Sequence, residues 1–261
     1  MCIRDRAWAG NPLEPVAGAA PRTTVAWDRL QVGRLLGEGA SGRVYDALWR
    51  QSDHPSARPV ALKLFKGAMT SDGLPEREMA ASLDAGDHPS LVGALGEVAG
   101  HPEGAQGLVM RRIPQDWPIL ANPPSLESCS RDVYEPGRRL NLGVALRIAQ
   151  SVAAAVAHLH GRGLCHGDLY GHNILWDGAG GEAVLSDLGA ASFLPPNQDA
   201  AALQRLEVRA FGLLLGELLD LCGGAPSADL CALQEACLAP RPSVRPLMDE
   251  VVATLSQITR R

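Results

Sequence analysis

The chain has 261 residues, 46% of them hydrophobic, with 24 Lys and Arg against 29 Asp and Glu for a net charge of -5. That length and apolar share suffice for one large domain or two lobes around a sizeable core, and they exclude a chain disordered throughout. Charges of both signs are interspersed, with no basic stripe for a nucleic-acid backbone and no polybasic run for a membrane surface, so small molecules or proteins are the expected partners.

Residues 1–23 are set aside as a tail outside the fold. The opening Met1 to Gly10 lacks the apolar core of a secretory signal, and it resembles translated sequencing-adapter readthrough, so it is expected to be non-native. From Trp27 the pattern is of short strands and turns: Leu30 to Leu36, a glycine-rich turn, Arg43 to Trp49, a polar loop with Pro55 and Pro59, then Val60 to Phe65. In the turn, Gly37, Gly39 and Gly42 lead into Val44 and a strand-like run. A dinucleotide-binding turn would lead into a helix, so the pattern favours a hairpin lid whose backbone amides approach phosphate; an ordinary Gly-rich hairpin is the plain alternative. Period-two alternation puts Lys63 on one face with Ala61 and Phe65, where its charge needs a partner: phosphate oxygens and a carboxylate, or else solvent at a sheet edge. Pro75 opens a helix through Leu83. It carries Glu76 and Glu78, and Glu78 is preferred as the partner of Lys63 because it leads the apolar run toward His88-Pro89. Strands follow around Leu91 to Val98 and Gly107 to Ile113.

After Pro114 the texture turns to a Pro-rich loop and then to helices, so residues 24–113 are read as a first lobe and residues 114–261 as a second. Leu142 to Arg162 is the longest helix, with Leu146, Ala149, Val152, Val156 and Leu159 in one stripe; helices over about Leu203 to Leu221 and Val244 to Ile258 close the chain. Its most apolar stretches are broken by Arg147, Gln150, Glu217 and Asp220 and make poor membrane spans. Six cysteines, Cys2, Cys129, Cys165, Cys222, Cys231 and Cys237, are scattered without metal-site spacing, which fits a reducing, cytoplasmic setting.

Between these helices lies the densest chemistry, His166-Gly167-Asp168-Leu169-Tyr170-Gly171-His172-Asn173, with Asp187-Leu188-Gly189 beyond it. A proton-accepting carboxylate at Asp168, an amide at Asn173 and a second carboxylate at Asp187 stand at phosphoryl-transfer spacing. Individually each has a plain reading: Asp168 as a turn cap, Asn173 as a loop brace, His166 as a buried structural ring, His158, His160 and His172 as surface or loop positions. Together with the glycine loop and Lys63 upstream in order, they point to ATP chemistry.

These residues resemble a protein kinase domain over about Trp27 to Leu255. The resemblance implies an α+β, two-lobed fold, with a small antiparallel β-sheet lobe holding one helix and a mainly α-helical second lobe. It also implies that Lys63 holds the α- and β-phosphates and pairs with Glu78, that Asp168 orients or deprotonates the acceptor hydroxyl, and that Asn173 and Asp187 bind Mg2+. Val44, Ala61 and Leu175 would sandwich the adenine, Met110 would be the gatekeeper, and the backbone of Arg111 to Ile113 would be the hinge. The implied reaction is transfer of the γ-phosphoryl group of Mg-ATP to a hydroxyl, foremost Ser or Thr of a protein.

Four departures bear on the acceptor. Gly167 stands where the family usually has an Arg, Tyr170 where Ser/Thr kinases place a Lys, and Glu207 where an Asp anchors the catalytic loop; the stretch after Asp187 is short, without an Ala-Pro-Glu signature to pair with Arg245. The His-Gly-Asp form also resembles small-molecule kinases of the aminoglycoside and choline type. Against that reading stand the Val60-Ala61-Leu62-Lys63 strand, His88-Pro89, Asp187-Leu188-Gly189 and Arg245-Pro246. A nucleotide-binding pseudokinase scaffold is the third reading, disfavoured by retention of Lys63, Asp168, Asn173 and Asp187 together. The sequence names neither the substrate nor the oligomeric state.

Overall fold

A computed structural model describes residues 23–39, 41–51, 56–67, 74–128, 131–197 and 199–260. The expected tail falls outside the described residues except for Thr23, as do Pro55, Cys2 and Cys129.

The first lobe is built on six strands: β1 (Thr24–Ala26), β2 (Leu30–Glu38), β3 (Gly42–Trp49), β4 (Arg58–Phe65), β5 (Ala94–Ala99) and β6 (Gly107–Arg111), in the order β1-β5-β6-β4-β3-β2. All neighbours pair antiparallel except β1 with β5, a parallel edge that three residues could not announce in sequence. Alternation sorts the two faces of β4. Val60 and Leu62 join Val25, Ala47 and Val109 in one apolar layer, while Phe65 packs with Leu108 and Met79 on the other. Over that second face lies α1 (Pro75–Ala85), opened by Pro75 in its first turn, where the missing N–H has no helical partner to lose, and followed by Gly86 at φ 69°.

The second lobe is helical, and the two-lobed α+β architecture is the one expected. Its axis is α2 (Leu142–Gly161), begun by an Asn141 side chain that accepts from the Val144 N–H at 2.8 Å. Two short ribbons follow, from β7 (Leu164–Cys165), β8 (Ile174–Trp176), β9 (Ala183–Leu185) and β10 (Ser192–Phe193), paired β7 with β10 and β8 with β9. Then come α3 (Asp199–Asp220), α4 (Ala228–Leu238) and α5 (Met248–Thr259). Ile148, Val152, Val156 and Leu159 of α2 are wholly buried in one core with Phe211, Leu214 and Leu218 of α3 and Val251 and Leu255 of α5. At about 1.5–3 kcal/mol for each large apolar side chain removed from water, this stripe dominates the lobe's stability. By length and composition α2 could cross a membrane, but it is the core helix here.

The closing helices differ from the sequence reading in two starts and one addition. The third helix starts at Asp199 instead of Leu203, α4 was not expected, and α5 starts at Met248, because Pro242–Val244 form a 3-10 turn and Arg245 turns inward ahead of Pro246.

Candidate active site

Between the lobes lies a cleft of about 540 Å³. Its roof is Leu36, Gly37 and Val44 from β2 and β3, its back Ala61 and Lys63 of β4 with Met110 and Arg111 of β6, and its floor Leu175 of β8. Ile113 and Trp117 stand where the chain passes to the second lobe, and Glu78 and Asp187 also line it. One part of the lining is therefore apolar and another is charged.

The charged end is a buried ion pair. Lys63 Nζ donates to Glu78 Oε1, with Lys63 8% and Glu78 6% exposed. The rival carboxylate Glu76 is instead at the surface, accepting from Gln106 at 3.3 Å. Burial pushes the Glu78 carboxyl above the usual carboxylate value; Lys63 opposes that shift and nearby Asp187 adds to it. Ser41, in the glycine turn, is buried and lowers the same carboxyl slightly.

Gly37 lines the cleft, whereas Gly39 and Gly42 do not. Gly39 closes the turn, its N–H donating to Gly42 O at 2.9 Å while its carbonyl accepts from Lys66 at 3.2 Å. For Gly42 a different reason emerges. A Cβ there would lie 2.5 Å from the Leu64 carbonyl oxygen, so glycine is needed for β3 to sit against β4.

Asp168 and Asn173 lie just outside the cleft lining and are locked to one another. Asn173 Nδ2 donates to the Asp168 carbonyl at 2.9 Å and to its Oδ2 at 2.8 Å, which commits the amide nitrogen and turns its oxygen the other way. The β8–β9 hairpin brings this pair to Asp187: Ser186 N and Oγ donate to Asn173 O at 2.8 and 2.9 Å. Asp187 has φ 61°, the one described non-glycine residue with positive φ, and its Oδ1 accepts from Gly189 N at 3.0 Å. Strain held at such a point is a mark of functional sites. The donors left over, an amide oxygen and two carboxylates, are hard oxygen ligands suited to Mg2+.

The loop's own scaffolding was only partly legible. His166 is fully buried, its Nε2 donating to Ser186 O at 2.8 Å and its Nδ1 accepting from Asp168 N at 3.3 Å. Glu207 anchors the loop from α3, accepting from His166 N at 3.2 Å, Gly167 N at 2.8 Å and His160 Nε2 at 2.9 Å. Burial pushes its carboxyl up, but the His160 hydrogen bond, the adjoining rings and the Gly167 amide outweigh that and hold it below the usual value. Gly167 has φ 82°, and a Cβ there would lie 2.3 Å from the Ala190 carbonyl oxygen, which excludes any side chain, Arg included. Arg245, which lacked a partner in sequence, donates to main-chain carbonyls of Ala239 at 2.8 Å and Arg205 at 3.0 Å. Leu36 and Trp117 of the cleft were missed; Leu36 directly precedes Gly37, and that adjacency was the available signal.

The sequence profile of the protein tyrosine and serine/threonine kinase family matches residues 30–211. Among curated proteins, CBL-interacting protein kinase 22 of Oryza sativa subsp. japonica is 29% identical over 76% of this chain and 44% of its own length. Serine/threonine-protein kinase PrkC of Bacillus subtilis (strain 168) is 28% identical over 73% of this chain and 30% of its own. Fibroblast growth factor receptor 1 of Xenopus laevis is 24% identical over 91% of this chain and 36% of its own. The chain thus spans less than half the length of these relatives.

Proposed function

The chain belongs to the protein tyrosine and serine/threonine kinase family, and from that premise we propose that it transfers the γ-phosphoryl group of ATP to a hydroxyl of a protein, foremost Ser or Thr. The observation that carries the reading is the conjunction of the buried Lys63–Glu78 pair, beside Asp187 in the cleft, with the Asp168–Asn173 lock that Ser186 ties to the same hairpin. PrkC, similar over 73% of this chain, is named a serine/threonine-protein kinase, which supports that acceptor class. A scaffold has no chemical need of Lys63, Asp168, Asn173 and Asp187 together.

In this reading the adenine lies between Val44, Ala61 and Leu175, beside Met110 and against the backbone of Arg111 to Ile113. Lys63, held straight by Glu78, reaches the α- and β-phosphates, and Gly37 lets the roof close on them. Asp168 holds the acceptor hydroxyl in line and takes its proton as the new O–Pγ bond forms; the bond from Pγ to the bridging oxygen breaks and ADP leaves with the electron pair. Mg2+, held by the Asn173 amide oxygen and Asp187, would neutralise charge on the phosphates. Little covalent work falls to the protein, so positioning and charge carry the rate. Free thiols at Cys165 and Cys237, pushed up to about 12 by burial, suit a reducing cytoplasm and are not nucleophiles.

The test is transfer of γ-labelled phosphate from Mg-ATP in a cell extract, by wild type and Asp168→Asn, with macromolecules then separated from filtrate. Label on protein that disappears in the variant, with ATP binding retained, is the expected result. Variant-sensitive label confined to the filtrate would move the chain to small-molecule acceptors.

A further inference from the structure

The connection between β6 and α2 carries no motif, yet it returns to the catalytic loop and touches it at several points. Leu120 N donates to Ile174 O at 2.8 Å, and Asp132 is buried against the 3-10 turn of Gly171–Asn173. One oxygen of Asp132 accepts from Gly171 N at 2.7 Å; the other accepts from His172 N at 3.1 Å and lies 2.7 Å from His172 Nδ1. A carboxylate accepts, so Nδ1 is the donating nitrogen and the ring cannot turn over without losing that bond.

The ring is held on its face as well. Tyr170 stacks on it with centroids 5.3 Å apart, and the Arg131 guanidinium lies 4.3 Å over Tyr170, itself tied to Glu217 at 3.0 Å and to Leu169 O at 3.3 Å. With Nδ1 and one face settled, Nε2 lies 3.7 Å from Oδ2 of the catalytic carboxylate of Asp168. Contacts of this length at catalytic groups are often long before the reacting complex forms and tighten in it. Bracing the loop needs only Nδ1 and the backbone amides; it does not explain the direction of Nε2.

We propose that His172 is a positioning residue for the transfer step: the Asp132–His172 pair and Asn173 converge on Oδ2 of Asp168 and fix the carboxylate so that Oδ1 meets the acceptor hydroxyl. The proposal rests on the kinase reading above. It puts a residue of the loop at the acceptor side of Asp168, where Tyr170 replaces the lysine usual in Ser/Thr kinases.

Two substitutions separate the two ends of the ring, because an Asn amide reaches the place of Nδ1 and a Gln amide that of Nε2. The full chain is assayed for labelled transfer to the protein pool of the extract as wild type, His172→Asn, His172→Gln and Asp132→Asn. For His172→Asn, kcat is expected to fall about 10-fold to 100-fold, the scale of a misplaced catalytic group, with KM for ATP and the urea midpoint unchanged. Glutamine is expected to restore much of that loss. Asp132→Asn, which keeps one accepting oxygen in place of the two that the Gly171 and His172 amides use, should lower kcat at constant KM and carries the test if a His172 variant fails to fold. Wild-type kcat in His172→Asn, or a loss equal in both His172 variants with a raised KM for ATP, overturns the positioning role while leaving the kinase reading intact. If wild type transfers no phosphate, both readings fall.

Discussion

Lys63 and Glu78 show how far single residues can be read. Alternation along β4 put the lysine on an inward face, and such a charge must find a partner; the carboxylate one turn into α1 supplies it. Breaking a buried pair from one side costs about 3–5 kcal/mol, since the remaining charge is uncompensated. Lys63→Met should therefore abolish transfer and lower the urea midpoint. The sign with pH follows from Glu78, whose folded-state pKa already lies above its ordinary 4.5 because of burial. Stability from a raised carboxyl is full below the unfolded value and lost as pH rises through the folded one, so the variant's deficit should widen from pH 4 upward; a deficit constant with pH would contradict the assignment. His172 was illegible by the same logic. Its partner Asp132 lies in an irregular loop, where no period tells which side chains turn inward.

Among elements, those with strong periods were legible: β2, β3, β4, β6, α1 and α2 each combine alternation or an apolar stripe with a turn signal at the end. The helix α4 was not, because only Leu230, Leu233 and Cys237 are buried along it and the rest of its surface gives no stripe. The strand β1 is three residues whose partner β5 is far along the chain. The join of α3 to the catalytic loop rests on Glu207, and it carries a prediction of opposite sign to that of Lys63. Its carboxyl is held below the ordinary 4.5, so its contribution is present above that value and lost as pH falls through the folded pKa. Glu207→Gln should be less stable than wild type at neutral pH by about 1–3 kcal/mol, the scale of hydrogen bonds to a charged group, and the gap should close on acidification below pH 4.5. Parallel denaturation curves at pH 7 and pH 3 measure it, and a gap undiminished at pH 3 would remove Glu207 as a charged anchor.

For the whole molecule, the two lobes are joined through Arg111 and Arg112. Arg111 donates to Pro89 O at 2.7 Å and Leu91 O at 2.6 Å, and Arg112 pairs with Asp46 of β3 at 2.7 Å, so the crossing strand is fastened to the first lobe. Below it, Lys63 already meets Glu78 and the loop is anchored by Glu207, while the chain from Asp187 reaches α3 by Asp199. On the proposed reading such a molecule needs no phosphorylated loop: phosphatase treatment is expected to leave its transfer rate unchanged, and loss of activity would contradict this. Gly167 also couples two stretches of chain. The arginine that the family usually places here cannot enter on this backbone, because its first side-chain carbon would meet the Ala190 carbonyl oxygen at 2.3 Å. Any side chain at position 167 therefore requires a different path at Ala190, so the two positions can vary only together.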